Sequence, residues 1–139
     1  MALPEPESGL VFRYDYLWSD EAKRGRTTSK DRPACVALAT HAEEGPRRVV
    51  ILPITHTKPT GDTAGIEIPS LVRQALGLDD QQCWVIISEH NVDDWPNAGI
   101  MPLPGSKGTF AHGILPPRLF DKIRVEFLKR YSRSPRVRR

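Results

Sequence analysis

Two near-continuous apolar runs constrain this chain more than any other feature. Pro33 to Thr40 and Arg48 to Thr55 are rich in valine, isoleucine, leucine and alanine, and only His41-Ala42-Glu43-Glu44-Gly45-Pro46 separates them. Strands buried on both faces read this way, without polar alternation, and the short polar connection joins them into a central β-hairpin. The rest of the chain has to cover that hairpin. Thirteen prolines in 139 residues predict many turns and short elements, which favours a β-rich domain over a helical bundle. The length suits one folding unit with a real core.

The flanking segments supply further elements. Leu10 to Leu17 alternates Leu10, Phe12, Tyr14 and Tyr16 against Arg13 and Asp15, as a half-buried strand requires. Trp18 to Asp31 is polar and without period, and it is expected to be a long, mobile, basic loop carrying Lys23, Arg24, Arg26 and Lys30. Loops of that length in a compact domain usually bind something. A short strand is predicted at Ala64 to Ile68, then a helix from Pro69 to Leu76 stopped by Gly77, and another strand at Gln82 to Glu89. His90 to Lys107 holds three prolines and two glycines and reads as an irregular excursion. A last strand, Gly108 to Leu115, precedes a helix from Pro116 to about Tyr131 in which Phe120, Ile123, Phe127, Leu128 and Tyr131 keep helical spacing and cover one open face of the sheet. The expected organisation is a disordered lead-in (1–8), a folded domain (9–131) and a basic tail (132–139). Its fold class is mainly β (α+β), a small, strongly curved sheet or partly closed barrel.

Charge is distributed unevenly. From Arg118 onward nine basic residues stand against Asp121 and Glu126, about +7, leaving about −4 for the remainder of a chain whose net charge is +3. That invites a polyanion, although a solvated helix and a frayed tail account for it equally. Cys35 and Cys83 each lie inside an apolar run with no CxxC or neighbouring histidine, and read as reduced core residues. No segment has the pattern of a signal peptide or the roughly 18 apolar residues of a membrane span, so a cytoplasmic protein without membrane contact is expected.

Three pieces in order carry a resemblance. Leu10 to Tyr16 is followed by a basic loop and Lys30-Asp31-Arg32-Pro33-Ala34-Cys35-Val36-Ala37-Leu38. Val49 to Thr57 ends in a Pro-x-Thr turn, Pro53-Ile54-Thr55, and Gly108-Thr109-Phe110-Ala111 runs on into Leu119 to Leu128. Together, over residues 9 to 130, they resemble the PemK/MazF toxins of type II toxin-antitoxin systems. The resemblance implies an SH3-like β-barrel with a short inserted helix and a C-terminal helix. It also implies a homodimer that cleaves single-stranded RNA without metal or other cofactor and is neutralised by a disordered segment of a cognate antitoxin. The same superfamily includes toxins that bind DNA gyrase, so a non-catalytic barrel that binds such a partner, or binds RNA without cleaving it, is the alternative.

Metal-free RNA cleavage uses the substrate's 2′-hydroxyl as nucleophile, so the protein must take its proton, stabilise a crowded phosphorane and protonate the leaving 5′-oxygen. Arg32 matches the family's catalytic arginine, and its guanidinium offers bidentate donors to phosphate oxygens. The competing reading is an arginine at a strand edge paired with Asp31 or another carboxylate. Thr55 matches the active-site threonine, against a β-branched residue that merely ends a strand. His56, next in sequence, would point away from Thr55 along a strand unless the turn intervenes, and is a candidate acid or base, with His90 and His112 as alternatives. Where many members of the family carry an acidic residue and a glutamine, this chain reads Ser88-Glu89-His90-Asn91, so Glu89 is the candidate carboxylate. Trp95 could serve as a stacking platform for a base or simply anchor a loop to the core.

Overall fold

The central hairpin forms as expected in a computed structural model that describes residues 3–40 and 45–139. β1 (Leu10–Asp15), β2 (Asp31–Ala39) and β3 (Arg47–Thr55) are consecutive antiparallel neighbours, with Tyr14 opposite Arg32 and Ala34 opposite Pro53. The connection between β2 and β3 lies outside the described residues from His41 to Glu44. Both faces of the hairpin are buried, because successive side chains alternate. Cys35, Ala37, Val50 and Leu52 enter one core, and Ala34, Val36, Val49 and Ile51 enter the other.

Among the described residues, short strands and three α-helices wrap this centre, and several of them complete the first core. β4 (Gly65–Glu67) and β5 (Trp84–Ile86) pair beyond the end of β3, where Thr55 stands opposite Trp84. Between them α2 (Ser70–Ala75) ends before Gly77, whose φ of +65° is a conformation glycine adopts without strain. β8 (Ala111–Ile114) borders β1, and α3 (Pro117–Arg130) then lays Ile123 and Phe127 over the first core. Fully burying a side chain such as Phe127 contributes roughly 1.5–3 kcal/mol. The described residues thus form a mostly antiparallel nine-stranded sheet with a few short helices, none of them long and apolar enough to cross a membrane.

Four expectations are corrected. The excursion expected after Glu89 contains β6 (His90–Trp95), which runs beside β3 with Asn91 opposite Ile51, and β7 (Ile100–Met101), which pairs with β1. Hydrophobic alternation missed β6 because its inward side chains are polar. Tyr14 donates to Asp93 at 2.7 Å, and Asn91 exchanges hydrogen bonds of 2.7 and 3.0 Å with the Leu17 backbone. The loop after β1 holds a one-turn helix, α1 (Ser19–Lys23), opened by Trp18 N–H donating to Glu21. From residue 3 the lead-in is packed: Trp95 Nε1 donates to the Pro4 carbonyl, Pro6 is buried, and Glu5 pairs with Arg47. Finally, the basic tail contains β9 (Arg136–Arg138), parallel to β6, with Val137 buried. Two of the tail's four arginines are matched within the fold, Arg138 by Asp94 and Arg139 by Asp15, so a run that reads as solvated contains a strand.

Candidate functional site

Arg32 sits near the start of β2, and its expected partner is taken. Arg13, across the β1–β2 pair, grips Asp31 through two donors at 2.9 and 3.1 Å. The Arg32 guanidinium instead lies over the Trp18 ring, 5.1 Å from its centroid, and has no hydrogen-bond or ion-pair partner among the described residues. Burial pulls its proton affinity below the usual arginine value, with the Glu21 carboxylate as the principal opposing charge. A half-buried cation with unused donors is the kind of group that an incoming oxyanion satisfies.

Thr55 ends β3 on the same face as Arg32. Alternation along each strand puts Arg32 on the side of Ala34 and Thr55 on the side of Pro53, and the β2–β3 pairing runs as far as Ala34 opposite Pro53, two residues short of both. The Thr55 hydroxyl accepts from Thr57 N–H at 3.1 Å, which closes the turn after the strand and leaves its own proton to donate. On the other side of Thr55 stands Trp84, and beyond Trp84 stands Glu67. One cross-strand row therefore reads Glu67, Trp84, Thr55, and a second pairs Arg32 with Tyr14.

Arg32 and Thr55 also border a cleft of about 620 Å³ into which the strand ends open. Lys30, His56, Cys83 and His112 line it. His56 lies in the turn after β3 and lines the same cleft as Thr55, so strand alternation does not carry it to the opposite side, and it is held between Asp79, 2.8 Å from Nε2, and the Gln82 carbonyl, 3.0 Å from Nδ1. His112 approaches the Leu76 carbonyl at 3.1 Å through Nδ1, and its Nε2 has no partner. Burial pulls His112 below its ordinary value. With Nδ1 as the donor, the neutral ring presents a lone pair at Nε2. Cys83 is buried at the base of the cleft with its thiol pushed up to about 11. The other cysteine, Cys35, is a core residue pushed up to about 12 by burial.

Compared with known proteins, the chain matches no family profile, no curated protein and no solved structure.

The remaining expected site residues are dispersed. Glu89 extends the inward row of β6 but accepts from Tyr16 Oη at 3.0 Å, Ser19 N–H at 2.9 Å and Ser19 Oγ at 3.2 Å. Burial raises Glu89, and those three donors oppose the rise. Its oxygens are thereby committed to fixing the start of α1, which carries Trp18 beneath Arg32. Trp95 is 6% exposed, packed edge-on against Phe12, and serves as the core anchor. Arg24 and Arg26 pair with Asp20 and Glu21, and Lys23 ends α1. Of the loop cations only Lys30 reaches the cleft. His90 is enclosed by Phe127, Tyr131 and Ser134, far from proton-transfer geometry with Thr55. Sequence reasoning missed Trp18 and Trp84. The signal for Trp84 is a large aromatic in a strand otherwise composed of aliphatic core residues, and for Trp18 its place just before the α1 turn.

Proposed function

We propose that this chain is a toxin-type endoribonuclease that cleaves single-stranded RNA by 2′-hydroxyl attack, without metal, at Arg32 and Thr55. The observation that carries the reading is the Arg32 guanidinium, stacked on Trp18 and left without a carboxylate because Arg13 holds Asp31. In this scheme Arg32 donates to the two non-bridging oxygens of the scissile phosphate and neutralises the charge that grows as the 2′-oxygen attacks phosphorus. The Thr55 hydroxyl donates to one of the same oxygens from the adjacent strand. The 2′-oxygen forms its bond to phosphorus as the bond to the 5′-oxygen breaks, leaving a 2′,3′-cyclic phosphate and a 5′-hydroxyl. Glu89 and Trp95 stand outside the reacting set, as their hydrogen bonds and burial require.

The curved sheet with its two small helices and α3 is compatible, in this reading, with the SH3-like barrel of PemK/MazF toxins. Pairing as a homodimer, neutralisation by an antitoxin segment and cytoplasmic action belong to the same proposal. Incubation of the purified protein with a long unstructured RNA in EDTA, with mapping of 5′-hydroxyl ends, tests it. Cleavage is expected, and Arg32→Ala should slow it by about 10²–10³, the scale of one lost oxyanion donor. No cleavage, or equal cleavage by the variant, overturns the reading. The engagement of Glu89 favours one second reading, a barrel that binds RNA, or a protein partner such as DNA gyrase, without chemistry. RNA binding without product, or co-precipitation of gyrase, would establish it.

A further inference from the structure

The tryptophan beside Thr55 stands outside both core clusters. Of the three tryptophans, Trp95 is buried in the second core and Trp18 packs against that core and against Tyr16. Trp84 belongs to neither core cluster and to no aromatic pair among the described residues. It is half-buried on β5, while its strand neighbours Val85 and Ile86 are fully in the interior. Its register partner Thr55 puts both side chains on one face of the sheet.

We infer that Trp84 is a stacking platform for an unpaired base of the RNA strand whose phosphate is held by Arg32 and Thr55, an inference that rests on the function proposed above. β5 pairs with β3 at Thr55, and Thr55 shares the cleft with Arg32, so the ring stands at the rim of that cleft beside the residue that would hold the phosphate with Arg32. Charge around Thr55 also has a direction. Arg32, with Lys30 two residues earlier, attracts phosphate at one end, while Glu67, opposite Trp84, repels it from the other. A base, uncharged and with an apolar face, is the part of a nucleotide that fits between them. Aromatic stacking of this kind accepts any base, so it supplies affinity for single strands over duplexes, whose bases are already stacked. Trp18, one face of which carries Arg32, positions the phosphate contact and leaves the base to Trp84.

The test uses an oligonucleotide with 2′-O-methyl groups, which lacks the nucleophile and so reports binding alone, read by anisotropy of a terminal dye. Trp84→Leu keeps an apolar side chain and removes the ring, and it should weaken binding about five- to a hundredfold. Trp84→Phe should stay within about threefold of the parent. An abasic site scanned along the oligonucleotide should weaken binding to the parent protein at one position and have no effect there on Trp84→Leu, a readout indifferent to small changes in fold. Equal affinity of the parent and Trp84→Leu, or an abasic effect that persists in that variant, overturns the inference. If the parent binds and Trp84 matters but no RNA is cut, the catalytic reading falls and the platform stands. If the parent binds no single strand, both fall.

Discussion

His90 shows how a buried titratable side chain reports on folding rather than chemistry. Its ring is fully buried, stacks on Tyr131 at 5.4 Å between centroids and meets Phe127 edge-on at 5.3 Å, and its Nδ1 is 2.8 Å from Ser134 Oγ. Burial, assisted by the Arg136 charge, pulls it down to about 4. The folded value lies below the unfolded one of about 6.5, so on acidification the unfolded chain takes up the proton first. Stability is therefore complete above about pH 6.5 and is lost as pH falls toward 4, by roughly 3 kcal/mol in all. Urea midpoints of the parent and His90→Phe should converge or cross as pH drops from 7 to 4.5, because the variant lacks this loss. Glu89, raised by burial, acts in the opposite sense in both proteins and cancels in the comparison. Parallel pH profiles would remove His90 from the account.

At the scale of elements, β9 and the Arg139 that follows it bind the fold together more than their composition suggests. The Arg139 side chain, 13% exposed, reaches the Asp15 backbone carbonyl, Asn91 Oδ1 at 3.3 Å and the Thr27 carbonyl at 3.1 Å, and pairs with Asp15 at 3.4 Å. Asp15 is only 10% exposed on its side chain, and the nearby Asp93 is 8% exposed, so removing this cation leaves buried acid uncompensated. Arg139→Met should cost about 2–4 kcal/mol in chemical denaturation, less than the full penalty for a dry pair because water reaches this edge. Arg133→Ala, exposed and without a carboxylate partner among the described residues, should stay within about 0.5 kcal/mol. A basic tail that is merely solvated would make the two variants indistinguishable. By the same reasoning, deleting residues 132–139 should lower the melting temperature sharply instead of leaving a stable domain with weakened RNA affinity.

Across the whole molecule, what could be read from the sequence depended on how each strand is buried. β2 and β3 were legible because apolar neighbours cover both faces, and α3 because Ile123 and Phe127 recur at helical spacing. β6 was hidden because Asn91 and Asp93 are buried through hydrogen bonds, and β9 because a single valine lies between arginines. Arg32 and Thr55 could be named individually, but their meeting at one cleft depends on a β2–β3 pairing whose register shifts at a bulge between Val36 and Leu38, which no local pattern encodes. The same long-range pairing redistributes the charge. Arg138 and Arg139 at one end, and Arg24 and Arg26 in the loop, are matched by carboxylates, so the net +3 is a poor guide to where an anion binds. If RNA is held at Arg32 and Lys30, only about two phosphates are neutralised, and the slope of log affinity against log salt should be near −1.4, about −0.7 per phosphate for a single strand. Arg32→Ala should then reduce it by about 0.7. Binding through the many cations of α3 and the C-terminal segment predicts instead a slope several times steeper that Arg32→Ala leaves unchanged. Titrating the 2′-O-methyl oligonucleotide between 50 and 200 mM salt separates a localised site from a diffuse basic surface, because affinity at any single salt concentration is the same for many combinations of the two.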